Sequence, residues 1–311
     1  MQGIFQRCET NPIITAEDTP MLAEAVTNPG ATEQDGQVVL LVRIERNTGE
    51  SDIHVARSSN GVDCWELSEK PLIEHGLPDM KYEQWGCEDA RVVYLEEEQR
   101  WYITYTAYSP GGAAVGLARS DDLETVERVG LIFSPNNKDA AIFPRKIHGR
   151  WTALHRPSAG NGLENIWIAH SQDLIYWGEP HCVLPEGQGA DWDSVTVGAG
   201  PPPVETDEGW LLLYHGVKMY GGNRVYRVGT ALLDSDKPHR VRGRSKGCIF
   251  KPTEDYETTG LMPNVVFPTG LLRRGDELWM YYGAADTCIG LAVAKLDDVM
   301  QTLLPVHEED T

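Results

Sequence analysis

Two adjacent carboxylates, Glu88 and Asp89, stand two residues from Arg91 in the stretch Gly86-Cys87-Glu88-Asp89-Ala90-Arg91-Val92-Val93-Tyr94, directly before an apolar run. Carboxyls in that place can solvate a turn, or they can exchange a proton with a bound hydroxyl. Other polar side chains occupy comparable settings: Asn28, Arg145, Thr196 and Asn264 in short apolar runs, and Arg43, Tyr105, Arg156, His215 and Asp286 near the ends of the runs that follow. Guanidinium, imidazole, phenol and hydroxyl groups can donate to an anion, whereas carboxylates and amides suit bound hydroxyls. Whether these residues act together depends on the elements that carry them.

Those elements read as short strands repeated five times. The segments DGQVVLLVRIE, EEQRWYITYTAY, IHGRWTALHRP, DEGWLLLYHGV and GDELWMYYGAAD each pass from a turn into an apolar or aromatic run. Trp101, Trp151, Trp210 and Trp279 recur at one place, with Val39 standing there in the first copy. An apolar run precedes each segment and another follows it, as in EDARVVYL before and AVGLARSDD after the second copy. Alternating β-branched and aromatic residues bounded by Gly, Asp and Asn mark hairpin-linked strands. Up to four strands per repeat of roughly 50–60 residues indicate an all-β five-bladed β-propeller. The alternative is a β-sandwich with accidental self-similarity. In a propeller the inner strands converge on one mouth, so polar residues at matching places in several blades would meet there. The whole chain, residues 1–311, then reads as a single domain, with blade material over about 11–297.

Composition excludes several classes. With 311 residues, 41% hydrophobic and 24% charged, the chain can bury a large core. A formal net charge of -20 opposes nucleic-acid binding, which demands a basic face. No apolar run reaches membrane-spanning length, and the N-terminus shows no basic-then-apolar leader, which gives a cytoplasmic expectation. The six cysteines include no CxxC pair and read as reduced thiols. No Cys/His spacing indicates a metal site.

Taken in order, "EDARV", "FPRKI", "HRP", "GAGP", "YHGV", "ALLD", "PNVVFP" and "YYGAAD", with an "NP" near the start, resemble glycoside hydrolase family 130 from about residue 11 to about 297. That resemblance implies a five-bladed propeller and an inverting β-mannoside phosphorylase, with a subgroup of β-1,2-mannosidases in the same family. It implies one carboxyl acid, Asp89, whose proton passes through the mannosyl 3-hydroxyl to the glycosidic oxygen. A phosphorylase needs no second carboxylate to activate water, because phosphate is already a nucleophile; it needs a cationic pocket instead. Arg145 and Arg156, 11 residues apart on adjacent strands, are expected to converge on the phosphate with forked hydrogen bonds. His215 and Tyr226 add donors. Asn28, Arg43 and Asp286 match positions that hold the mannosyl unit. Glu88 would orient the strand end or a hydroxyl, and Arg91 is structural or supports Asp89 from the same strand face. Tyr82 and Trp85 stack on an acceptor sugar or pack locally; Tyr281 and Tyr282 belong to the sugar wall or to a packed strand.

One position departs from the pattern: Thr196 stands before "VGAG", where phosphorylases of the family carry a lysine. Its hydroxyl can still donate one hydrogen bond. The rival enzyme reading is a β-1,2-mannosidase using Glu205 or Glu164 to activate water. A sugar-binding propeller without catalysis and a furanosidase with a carboxylate trio are further alternatives, and the cationic residues fit both poorly. Members of the family act on β-1,4-mannosyl-glucose, β-1,4-mannosyl-N-acetylglucosamine, β-1,4-mannooligosaccharides and β-1,2-mannooligosaccharides; "GCEDAR" tilts the expectation to β-1,2-mannobiose or oligomannan. Inorganic phosphate is the expected co-substrate, with no cofactor or metal, no nucleic-acid or membrane partner, and a homo-oligomer compatible with the fold.

Overall fold

The computed structural model describes residues 3–158 and 164–306. Nearly all regular structure is strand; the α-helices are the short turns Asp255–Thr258 and Leu296–Met300. Each of the five expected segments is the second strand of an antiparallel unit. The first unit comprises Ala23–Gln34, Gln37–Arg46, Ser51–Ser58 and the short Glu66–Leu67. The second comprises Gly86–Leu95, Arg100–Ser109, Gly112–Ser120 and Glu127–Phe133; the third, Asn137–Ile142, Trp151–Pro157, Ile166–Ser171 and Trp177–Leu184. Thr196–Ala199, Gly209–Tyr220, Asn223–Leu233 and Val241–Ser245 form the fourth. Val266–Arg274, Glu277–Ala284 and Cys288–Lys295 form the fifth, whose outer strand is the N-terminal Gln6–Arg7. The first two units share one parallel bridge, Ser51 with Gly86.

The repeat is also written in the turns. After the third strand of the first three units, the Oγ of Ser58, Ser120 or Ser171 accepts the backbone N–H groups two and three residues on. Asn60, Asp122, Asp173 and Asp234 then take the next pair of N–H groups through one side-chain oxygen. Short polar side chains that mimic a backbone turn explain why these residues punctuate the strands. They also fix the alignment: Trp101 lies opposite Ser120 and Trp151 opposite Ser171, so the counterpart in the first unit is Val38, opposite Ser58, and not Val39.

Five apolar clusters hold the units together, each between neighbours. Val39, Leu41 and Val55 meet Ala90, Val92 and Ile103; Val93 and Tyr102 meet Ile142 and Trp151; Phe143 and Leu154 meet Trp210 and Leu212. Leu211 and Leu213 meet Val266 and Met280. The fifth unit closes on the first, through Tyr281, Ile289 and Leu291 against Val26, Val38 and Leu40. Strands buried on both faces in this way read as near-continuous apolar runs, as "VVLLV" does.

A bulge recurs in the first strand of three units and positions the cleft. Pairing skips two residues after Thr27, Glu88 and Lys138. Asn28, Asp89 and Asp139 sit in those bulges with φ of 49°, 52° and 54°. Asn and Asp tolerate this left-handed conformation better than other residues with a side chain, and a bulge re-aims a side chain out of the ladder.

Candidate active site

The three bulges deliver their side chains to one pocket, lined by Asn28, Arg43, Asp89, Lys138, Asp139, Arg156, His215, Tyr226 and Asp286 with Met262, Val265 and Phe267. Asn28 Nδ2 donates to Asp89 Oδ1 at 2.8 Å. Arg43 Nη1 lies 3.5 Å from the same oxygen, and Lys138 Nζ lies 3.5 Å from Asp89 Oδ2. Burial would push the Asp89 carboxyl upward, but Lys138, Arg43 and Arg91 together with the Asn28 hydrogen bond outweigh it and hold it below the usual carboxylate range. Burial raises Glu88, partly offset by Arg43, which lies 3.3 Å from its carboxylate. Asp286 also occupies a left-handed position, φ 51°; burial raises its pKa to about 6 against the pull of Arg43.

On the opposite wall, Asp139 is fully buried, and the cations Arg156, Lys138 and Arg91 overcome its desolvation to keep it ionised. Its Oδ2 faces Arg156 Nε at 3.2 Å and His215 Nε2 at 3.7 Å. Arg156 Nη1 pairs with Glu164 Oε2 at 3.1 Å. Burial lowers His215 to about 3, so the imidazole is neutral at neutral pH. It stacks beside Tyr226 and leans on Phe267. Glycine permits this approach: a Cβ on Gly198 would come within 2.2 Å of the His215 ring and 2.6 Å of Asp139. Gly283 does the same for Asn28, whose Oδ1 would lie 1.9 Å from an added Cβ.

Seven of the residues singled out from sequence therefore meet: Asn28, Arg43, Asp89, Arg156, His215, Tyr226 and Asp286. Arg145 does not. It follows the third unit's first strand, beyond the bulge, and its guanidinium pairs at the surface with Glu205, Nε to Oε2 at 2.9 Å, over the ring of Trp210. The residue in register with Asn28 and Asp89 is Asp139, and the ammonium beside it, Lys138, supplies the cation that Arg145 was expected to supply. The signal was present: Lys138-Asp139-Ala140 repeats Glu88-Asp89-Ala90. Thr196 is buried behind the wall and donates to Glu164 Oε2 at 3.4 Å. Tyr105 is one residue out of register, since Thr106 lies opposite Glu88 as Arg43 lies opposite Thr27; its hydroxyl bonds buried Glu83. Tyr281 and Tyr282 are core residues bonded to Gly61 O and Glu257. Trp85 is half-exposed and packs edge-on against Tyr108, ring centroids 5.3 Å apart. Among the described residues no group of three His, Cys, Asp or Glu is arranged to hold a metal ion.

Because Arg145 is spent on Glu205, its loss should leave the cleft unchanged. In Arg145→Ala the affinity for inorganic phosphate, measured by calorimetry, is expected to stay within about twofold of wild type, since an exposed pair contributes only about 0–1 kcal/mol.

One cleft in an all-β frame thus joins groups suited to hydroxyls, Asn28, Asp89 and Asp286, with the cations Lys138 and Arg156, an arrangement suited to a polyhydroxylated ligand and an anion together. A family model described as beta-1,4-mannooligosaccharide phosphorylase matches residues 4–304, and the chain belongs to that family, glycoside hydrolase family 130. It is 41% identical over 257 residues to a beta-1,2-mannobiose phosphorylase of Listeria innocua, covering 82% of this chain and 70% of that protein. A 1,2-beta-oligomannan phosphorylase of Thermoanaerobacter sp. is 36% identical over 252 residues, 80% of each chain. A beta-1,4-mannooligosaccharide phosphorylase of Ruminococcus albus is 31% identical over 309 residues, 96% of this chain and 90% of that one. Among solved structures, the Listeria innocua beta-1,2-mannobiose phosphorylase in complex with beta-1,2-mannobiose superimposes with a TM-score of 0.87 at 33% identity, over 96% of this chain and 98% of that one.

Proposed function

We propose that the protein is an inverting β-mannoside phosphorylase that uses inorganic phosphate to release α-mannose 1-phosphate, with β-1,2-mannobiose or oligomannan as substrate. The observation that carries the reading is the single pocket in which Asp89, held by Asn28 and Arg43, faces Lys138 and Arg156. Two relatives named as acting on β-1,2 linkages, at 41% and 36% identity, support that linkage over the β-1,4 of the 31% relative. The five units are read as the blades of one five-bladed β-propeller domain, closed by the N-terminal strand on the fifth.

In this mechanism the mannosyl unit lies between the walls, its hydroxyls taken by Asn28, Arg43 and Asp286. Phosphate lies against Lys138, Arg156 and the neutral donors of His215 and Tyr226. A phosphate oxygen attacks C1 as the C1–O glycosidic bond breaks, and the proton of Asp89 reaches the departing oxygen through the 3-hydroxyl. Asp89 must be protonated to begin, although Lys138, Arg43 and Arg91 hold its carboxyl below the usual range. Phosphate resolves this: a dianion beside Lys138 offsets the cation that depresses Asp89 and raises its proton affinity in the ternary complex. Pre-positioned phosphate also removes much of the entropic cost of a bimolecular displacement.

Hydrolysis would need a base for water. Glu205 is occupied by Arg145 at the surface, and Glu164 is shared by Arg156, Thr196 and Ser158. The test is a panel of β-1,2- and β-1,4-linked mannobioses incubated with and without phosphate. The reading predicts sugar phosphate only with phosphate, and fastest from the β-1,2 compound; free mannose formed equally well in both conditions would refute it.

A further inference from the structure

We propose that Arg91 is a positioning residue that ties the backbone of Asp89 to the phosphate-facing wall and so sets the separation of proton donor and nucleophile. The proposal rests on the phosphorylase reading for what the two walls hold.

Arg91 does not line the pocket; its side chain lies just beneath it, 1% exposed. The guanidinium donates from Nη1 to Asp89 O at 2.6 Å and from Nη2 to Asp139 Oδ1 at 3.1 Å. It reaches Ala199 O and Gly200 O at 3.4 Å and lies over the Phe267 ring, 5.5 Å from its centroid. One side chain of the second unit thus touches the third, fourth and fifth. A buried guanidinium is tolerated only when its donors are used, and here they hold parts that chemistry needs in register. The Asp89 carbonyl belongs to a left-handed residue, a backbone conformation that must be over-determined by its surroundings to persist. Asp139 carries the link onward, because its second oxygen faces Arg156 Nε at 3.2 Å and His215 at 3.7 Å. A chain of two side chains therefore runs from the acid's main chain to the phosphate arginine. A fork is required, since two diverging N–H groups reach a carbonyl and a carboxylate that a single ammonium cannot serve together.

The alternative is that Arg91 only fills the core. R91K and R91M, in the full chain, separate the two with calorimetric affinity for inorganic phosphate, the Asp89 carboxyl titration by carbon-13 NMR (assigned by its absence in D89N), kcat, and Tm as the folding control. R91K keeps the charge but loses the fork: phosphate affinity and kcat are expected to fall on the order of 10–100-fold, with the Asp89 titration near wild type. R91M loses the charge as well. Asp89 then titrates at higher pH, because a neighbouring cation is gone while Arg43, Lys138, Glu88 and Asp286 still face it. Wild-type phosphate affinity and kcat in R91K overturn the proposal, as does a folded R91M with an unmoved Asp89 titration. A lowered Tm with affinity, titration and kcat unchanged marks core packing and overturns it too. If R91M does not fold, R91K decides alone. A wild-type protein that binds phosphate yet forms no sugar phosphate refutes the phosphorylase reading, while affinity and titration still decide the role of Arg91.

Discussion

Asp89→Asn is expected to lower kcat for phosphorolysis by about 10³-fold or more, near the upper part of the range for loss of a general acid. The amide keeps the Asn28 hydrogen bond, because its oxygen still accepts from Asn28 Nδ2, now at 2.8 Å from Asp89 Oδ1. Sugar binding is therefore retained, and the KM for the mannoside changes by no more than a few fold. What disappears is the proton needed by the leaving oxygen. The reverse reaction, transfer of mannose from mannose 1-phosphate to an acceptor, passes through the same transition state and falls equally. Initial rates of sugar phosphate release and of reverse synthesis check both. Turnover at the wild-type level would assign Asp89 to sugar binding alone and remove it as the proton donor.

Arg156→Gln should strike the other substrate. Arg156 is nearly buried, its Nε faces Asp139 at 3.2 Å and its Nη1 pairs with Glu164 at 3.1 Å, so its plane is fixed before phosphate arrives. A preset, forked cation gives the strong bidentate type of oxyanion contact. Its loss is expected to lower kcat/KM for phosphate about 10²–10³-fold, roughly 3–4 kcal/mol, comparable to removing one oxyanion donor. Asp139 is then left with one arginine fewer and pulls harder on Lys138, which deepens the loss. Affinity for the mannoside should change little, because Asn28, Arg43 and Asp286 lie on the other wall. Initial rates over a phosphate series at saturating mannoside measure this.

The strand repeat was legible because period-2 apolar runs and the polar turns between them are local features. Trp101, Trp151 and Trp210 marked the same edge of successive units, each facing the unit before it, whereas Trp279 lies one residue further along and faces the first unit; Arg43, Arg156 and Asp286 were placed by proximity to the ends of those runs. What sequence periodicity could not carry was the bulge. One extra residue after Thr27, Glu88 and Lys138, two against one on the partner strand, shifts everything beyond it, so counting along "AAIFPRKI" led past the turning point to Arg145. The bulge also explains why Asp139 escaped notice: an acidic residue in "NKDAA" reads as a solvated turn until its left-handed φ turns it inward. Arg91 was placed on the face of Asp89 by alternation, yet the bulge between them sets it one layer deeper. Thr196 matched a family position but lies behind Glu164, to which its hydroxyl donates, and does not line the pocket.

Phosphate bound opposite the proton donor across one sugar ring requires a single displacement with inversion at C1. Proton NMR of the first sugar phosphate formed from β-1,2-mannobiose and phosphate tests it most directly. The α anomer is expected from the earliest time point; a β-linked sugar phosphate, or free mannose released at the same rate without phosphate, would rule out that displacement.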